Sequence, residues 1–126
     1  MREDLQIRTK KFALKTIKLY QSLPKSEEAR ILGKQFLRCA TSVAANYRSS
    51  LRARSTAEFI AKLGIVVEEV DESAFWMELL IDSEIVSQKQ GEELLNESNE
   101  LLKIFSASRK TAKENLKISK IIKSPN

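Results

Sequence analysis

The strongest constraint on what this chain can fold into is a stripe of apolar residues that follows Ser55 and holds helical register for about six turns. Phe59, Leu63, Val66, Val70, Ala74, Met77 and Ile81 step by four, three, four, four, three and four, and Ile60, Val67 and Leu80 widen the stripe. Ser55-Thr56-Ala57-Glu58 reads as a capping box, with the serine accepting from a backbone N–H and the glutamate reaching back. A helix of about 28 residues spans roughly 40 Å, so its partners must be comparably long.

Three further segments meet that requirement. The first, about Asp4 to Ser22, places Phe12, Ala13, Ile17, Leu19, Tyr20 and Leu23 on one expected face, and Lys11, Lys15 and Lys18 on another. Glu3 and Asp4 suit the positive end of its dipole, and Leu23-Pro24 stops it. Ser26 is the expected N-cap of the second helix, which carries Leu32, Phe36, Cys39, Val43 and Asn46 at heptad spacing. Ser87 to Gln90 offers another capping box, and Leu94, Ser98, Leu101, Phe105, Ser108 and Ala112 follow at steps of four, three, four, three and four. Beyond about Asn115 a basic tail with Leu116, Ile118, Ile121 and Ile122 can extend the helix, dock on a neighbour or fray.

Four amphipathic helices with short links predict an all-α fold, an antiparallel up-down-up-down four-helix bundle in one domain over 1–126, with the basic tail from about 115. A chain of 126 residues can bury one core without staples. The single cysteine, Cys39, excludes an intramolecular disulfide, no apolar run is long enough for a membrane span, and the charged N-terminus does not fit a signal peptide. A cytoplasmic protein with no membrane partner is the expectation.

Charge is divided sharply along the chain. Net charge is +5 over residues 1–26, +4 over 27–54, −10 over 55–100 and +6 over 101–126. Such a division serves external partners of each sign, or neighbouring helices that complement one another inside the bundle. In an up-down-up-down topology the acidic third helix lies between basic neighbours, which lowers the weight of charge alone as a sign of nucleic acid.

The chain lacks histidine, the commonest general base and an obligatory part of the Glu-x-x-His di-metal pattern of helical bundles. Glu68, Glu69 and Glu72 therefore read as a solvated or salt-bridged face, and Cys39, on the apolar stripe, as packing. Gly33, Gly64 and Gly91 are isolated and form no phosphate loop; Gly64, inside a helix, suggests a close helix–helix approach. Neither catalytic residues, nor a metal, nor a cofactor is expected.

Two constellations remain. Arg48, Arg52 and Arg54, with Arg38 a few turns back, present guanidinium groups suited to phosphate or carboxylate. The alternative is that they cap the second helix and pair with acids on a neighbour. Phe75, Trp76 and Leu79 lie outside the core stripe and predict a self-association surface. Asn46, one turn after Ser42, fits a register-fixing asparagine better than a polar site.

Gln35-Phe36-Leu37-Arg38, Thr41 to Asn46, Arg54-Ser55, Glu58-Phe59 and Glu68-Glu69, in this order and spacing, resemble the bacterial 23S rRNA-intervening-sequence proteins. The resemblance covers roughly Phe12 to Lys113. It implies a small antiparallel four-helix bundle that assembles with itself, commonly as a pentamer; a similar bundle is the accessory protein of diversity-generating retroelements, where a basic barrel engages nucleic acid and a reverse transcriptase. Many members follow the asparagine with a hydrophobic residue, a variable one and Glu-Gly. Here Tyr47-Arg48-Ser49-Ser50 stands instead, and no role of that glutamate carries over.

The resulting expectation is a non-enzymatic homo-oligomer that binds RNA or DNA through Lys11, Lys15, Lys18, Arg38, Arg48, Arg52 and Arg54. The rival is a scaffold whose partner is another protein.

Overall fold

The computed structural model describes residues 2–123, with side chains from Leu5 onward. The chain forms α1 (Arg2–Ser22), α2 (Glu27–Ser50), α3 (Thr56–Asp82) and α4 (Gln88–Lys123). Consecutive helices pack antiparallel in the expected up-down-up-down order. The seam between α1 and α4 is only sparsely closed.

Local chemistry sets the helix starts. Ser26 Oγ accepts from the Ala29 N–H at 3.3 Å, and Ser55 Oγ from the Glu58 N–H at 3.1 Å. The Glu58 carboxylate returns to the N–H of Arg54 at 3.4 Å, one residue earlier than a reciprocal capping box requires. Ser87 and Gln90 do form the reciprocal pair: each backbone N–H donates to the other's side chain at 3.1 Å. The side chains of Glu3 and Asp4, expected to complement the α1 dipole, lie outside the described residues.

The link from α3 to α4 turns through Glu84 at φ 64°, in the left-handed region. Its N–H donates to Ile81 O at 2.9 Å, and Val86 N–H to Leu80 O at 3.0 Å, so the last carbonyls of α3 are satisfied and Val86 plugs the core.

The core runs from Phe12 and Phe36, whose rings meet edge-on at 6.3 Å, through Val43, Val66, Val70 and Leu101 to Tyr47 against Phe105 at 5.1 Å. The α3 and α4 stripes pack as their spacing predicts as far as Phe105. Ser108 is exposed, a departure from the expected stripe, because α4 outruns the helices that could cover it.

The expected face of α1 is corrected by about a fifth of a turn. Its inward stripe is Leu5, Thr9, Phe12, Thr16, Leu19 and Leu23, whereas Ile17 remains 38% exposed. Thr9 and Thr16 fit because their hydroxyls donate to the carbonyls of Leu5 and Phe12 at 2.8 Å, leaving their methyl groups to pack.

Gly64 does mark a close approach, but of a side chain. A Cβ there would lie 3.1 Å from Arg109 Nε, which donates to Ile60 O at 3.0 Å. At Gly91 the neighbour is a helix: a Cβ would come within 2.8 Å of Ile81 and 2.9 Å of Met77.

Candidate nucleic-acid interface

The end of α2 folds tightly without help from arginine. Leu51 N–H donates to Tyr47 O at 3.3 Å, Ser50 Oγ to the same carbonyl at 2.6 Å, Arg52 N–H to Ser49 O at 3.0 Å and Ala53 N–H to Ser50 O at 3.2 Å. Lys62 Nζ from α3 donates to Ser49 Oγ at 2.7 Å. The helix terminus is thus satisfied by its own backbone, one buried serine and one lysine.

Arg48, Arg52 and Arg54 are all exposed, and among the described residues their guanidinium groups make no hydrogen bond or ion pair. The expectation that they cap α2 or bridge to α3 finds no contact there. A guanidinium left in water at a fixed backbone position is a ready donor fork for an oxyanion.

The tail of α4 comes to the same end of the bundle. Lys113, Leu116, Lys117 and Lys120 line a hollow of about 320 Å³ with Ala57 and Ile60, in the first turns of α3 just after the arginine joint. Sequence reasoning treated tail and joint separately; the antiparallel order of α3 and α4 was the signal that joins them. At the opposite end lie Asp82, Glu84, Glu92 and Glu93, all exposed, so the bundle is basic at one end and acidic at the other.

The remaining basic candidates divide. Arg38 is committed to α3, donating to Glu72 at 2.8 Å and lying 3.6 Å from Glu69. Lys15 pairs with Glu93 of α4 at 3.1 Å, while Arg8, which sequence reasoning passed over, makes a two-pronged bond to Glu97 at 3.0 and 2.7 Å. That bond raises the Arg8 pKa. These pairs cross the sparse α1–α4 seam, over a hollow of about 460 Å³ that Lys11 also lines. Lys18 is exposed, toward the end of α1 away from the joint.

Cys39, Glu69 and Glu72 bring three potential metal-ligand atoms within 4.8 Å of one another. Arg38 already supplies the positive charge there, and burial pushes the Cys39 thiol up to about 12, which keeps it from acting as a thiolate ligand. The cluster is an ion-paired surface of α2 and α3. Its outer edge is Trp76, whose indole N–H donates to Glu72 Oε2 at 3.0 Å and, with Arg38, holds that carboxyl below its usual range.

Phe75 is 49% exposed and its ring stands 5.1 Å from that of Trp76. Trp76 and Leu79 are half-buried beside it. Asn46 is half-buried, and its amide is spent within α2, donating to Ser42 O at 2.9 Å and Ser42 Oγ at 2.8 Å. In the described structure this amide stabilises its own helix.

Fold and surface together define a small antiparallel four-helix bundle with one basic end. The 23S rRNA-intervening sequence protein family matches residues 3–107, and the chain belongs to that family. A solved protein of unknown function from the S23 ribosomal protein family of Bacteroides thetaiotaomicron is similar at 34% identity and a TM-score of 0.80, over 87% of this chain and 99% of that one. No curated protein matches. Among the described residues no helix is long and apolar enough to cross a membrane.

Proposed function

We propose that the protein is a non-enzymatic, cytoplasmic homo-oligomer that binds the phosphate backbone of RNA or DNA through its basic end. The observation that carries this reading is the set of three exposed guanidinium groups, Arg48, Arg52 and Arg54, at a helix end whose own carbonyls are satisfied without them. Lys11 and Lys18 add to the field, whereas Arg38 and Lys15 spend much of theirs on acids of the same chain. Self-assembly, for which the resemblance suggests a pentamer, would multiply the basic ends and convert weak phosphate contacts into avid binding. The Phe75 face is the surface that supports assembly.

The test is fluorescence anisotropy with short labelled RNA and DNA across a salt series. Affinity should fall steeply, log K losing about 0.7–0.9 per phosphate for each decade of salt. Arg52→Glu/Arg54→Glu should weaken binding to every sequence and flatten the slope. Absence of binding at low salt, or indifference to the charge reversal, overturns the reading. A protein partner that co-purifies without nucleic acid would then favour the scaffold reading, which Phe75, Trp76 and Leu79 also suit.

A further inference from the structure

The helix α4 is longer than its neighbour, 36 residues against 27 in α3, or roughly 54 Å against 40 Å. Phe105 is its last fully buried residue, and Leu116 still reaches Ala57 and Ile60. Past that point Ile118, Ile121 and Ile122 are 54%, 67% and 76% exposed. They fall within about 100° of the helix circumference, on the side opposite Leu116, and Lys113, Lys117, Lys120 and Lys123 occupy much of the remainder. The overhang lies beyond residue 107, where the family match ends.

A converse surface exists on α3. Ile65 and Phe75 are 43% and 49% exposed, with Leu79 half-buried beside them. Glu68, Asp71 and Glu78, all exposed, share that side of the helix and give it a negative rim. The two surfaces match in sign, in apolar character and in length: Ile65 to Leu79 and Lys110 to Lys123 each span about 20 Å. They cannot meet within one chain. The overhang leaves the bundle beside Ile60, and Phe75 lies about four turns, roughly 22 Å, further along α3.

We propose that the Ile118–Ile122 face of one copy docks on the Ile65–Phe75–Leu79 face of a second copy, its lysines meeting the acidic rim. This rests on the reading of the chain as a homo-oligomer and names the contact that would build it. Because each copy offers one tail and one acceptor face, the contact is head-to-tail and propagates until the rotation closes. Burying three isoleucines against an aromatic-aliphatic face removes apolar surface from water at both ends, and the charged rim selects this face over the basic end of the bundle.

The test is light scattering of the full chain and of two variants, Ile118→Ser/Ile121→Ser/Ile122→Ser in the tail and Ile65→Ser/Phe75→Ser on the face, each checked for helicity by circular dichroism. Wild type should exceed the 14.3 kDa chain mass, and each variant alone should be a monomer. Mixed, they should form a dimer and nothing larger, since only one intact tail and one intact face remain. Glu68→Lys, at an exposed position, is a second face variant and should weaken assembly without touching the fold. Variants that keep the wild-type mass, or a mixture that stays monomeric, overturn the contact but leave the oligomer standing. A monomeric wild type overturns both. A monomer whose tail instead binds phosphatidylglycerol-containing vesicles, and loses them in the serine variant, assigns the overhang to an anionic membrane surface and overturns the contact.

Discussion

Arg109 reaches from α4 across to α3, where its Nε donates to the carbonyl of Ile60 at 3.0 Å in the space left by the missing side chain of Gly64. The glycine weakens the α3 helix by about 1 kcal/mol relative to alanine, and the bond from Arg109 offsets a similar amount. Arg109→Ala should therefore lower stability by about 1 kcal/mol in urea denaturation. Gly64→Ala alone should change it little, because the added methyl displaces the guanidinium from 3.1 Å. In the Arg109→Ala background the same glycine change should stabilise by about 1 kcal/mol. Additive single effects would show that the two positions are not coupled.

Glu84 holds φ 64° in the α3–α4 link, where a residue with a Cβ is strained and glycine is not. Its backbone N–H is used by Ile81, but no side-chain bond of Glu84 holds the turn. Glu84→Gly should raise the unfolding free energy by about 0.5–1 kcal/mol, visible as a higher Tm by circular dichroism. A lower Tm would mean that the entropy of the added glycine outweighs the strain it relieves.

The helices were legible because their start signals are local: a serine followed three residues later by a backbone N–H, or by Glu58 or Gln90, fixes where each begins. Heptad spacing likewise fixed the inward faces of α2, α3 and the first half of α4. The face of α1 was misjudged because threonine was counted as polar, whereas a helical threonine can return its hydroxyl to its own backbone. What stayed hidden was tertiary: no spacing rule tells Arg38, tied to Glu72 thirty-four residues away, from the unpaired Arg52. Both are arginines on an exposed surface, and only the packing of α2 on α3 separates them.

Thr16 gives that lesson a number. Its hydroxyl serves only Phe12 O, and its methyl lies in the core. Thr16→Val keeps the shape and leaves no buried donor, so stability should stay within about 1 kcal/mol of wild type. Ile17→Thr, one position along, should also be nearly neutral, whereas Phe12→Ala should cost about 3–5 kcal/mol. A large loss at Ile17 would restore the face predicted from sequence.

Cys39 offers a chemical measure of core closure. Burial, with the Glu72 carboxylate as the next cause, raises its pKa to about 12. The folded chain should react with a thiol reagent at pH 8 more than about tenfold slower than the chain in urea. Because the folded state holds this proton more tightly than the unfolded chain, the associated stability is present below the ordinary thiol pKa of about 8.5 and is lost as pH rises toward 12. Cys39→Ser should react with no reagent and should abolish that alkaline component; equal labelling rates for folded and unfolded protein would contradict the burial.

At the acid end the reporter is Trp76, the single tryptophan, hydrogen-bonded to Glu72 at 3.0 Å. The indole bond, the Cys39 thiol and the Arg38 charge all favour the ionised carboxylate, so its pKa is lowered. The stabilisation is therefore present above the ordinary carboxylate value and is lost as pH falls through the lowered one. Trp76 fluorescence should titrate with a midpoint below 4.5, the ordinary glutamate value, while far-ultraviolet circular dichroism remains unchanged. Arg38→Gln should move that midpoint up, and Glu72→Gln should remove it. A midpoint unmoved by Arg38→Gln would show that the α2–α3 ion pair does not bear on this carboxylate, and a transition that survives Glu72→Gln would assign the change to another group.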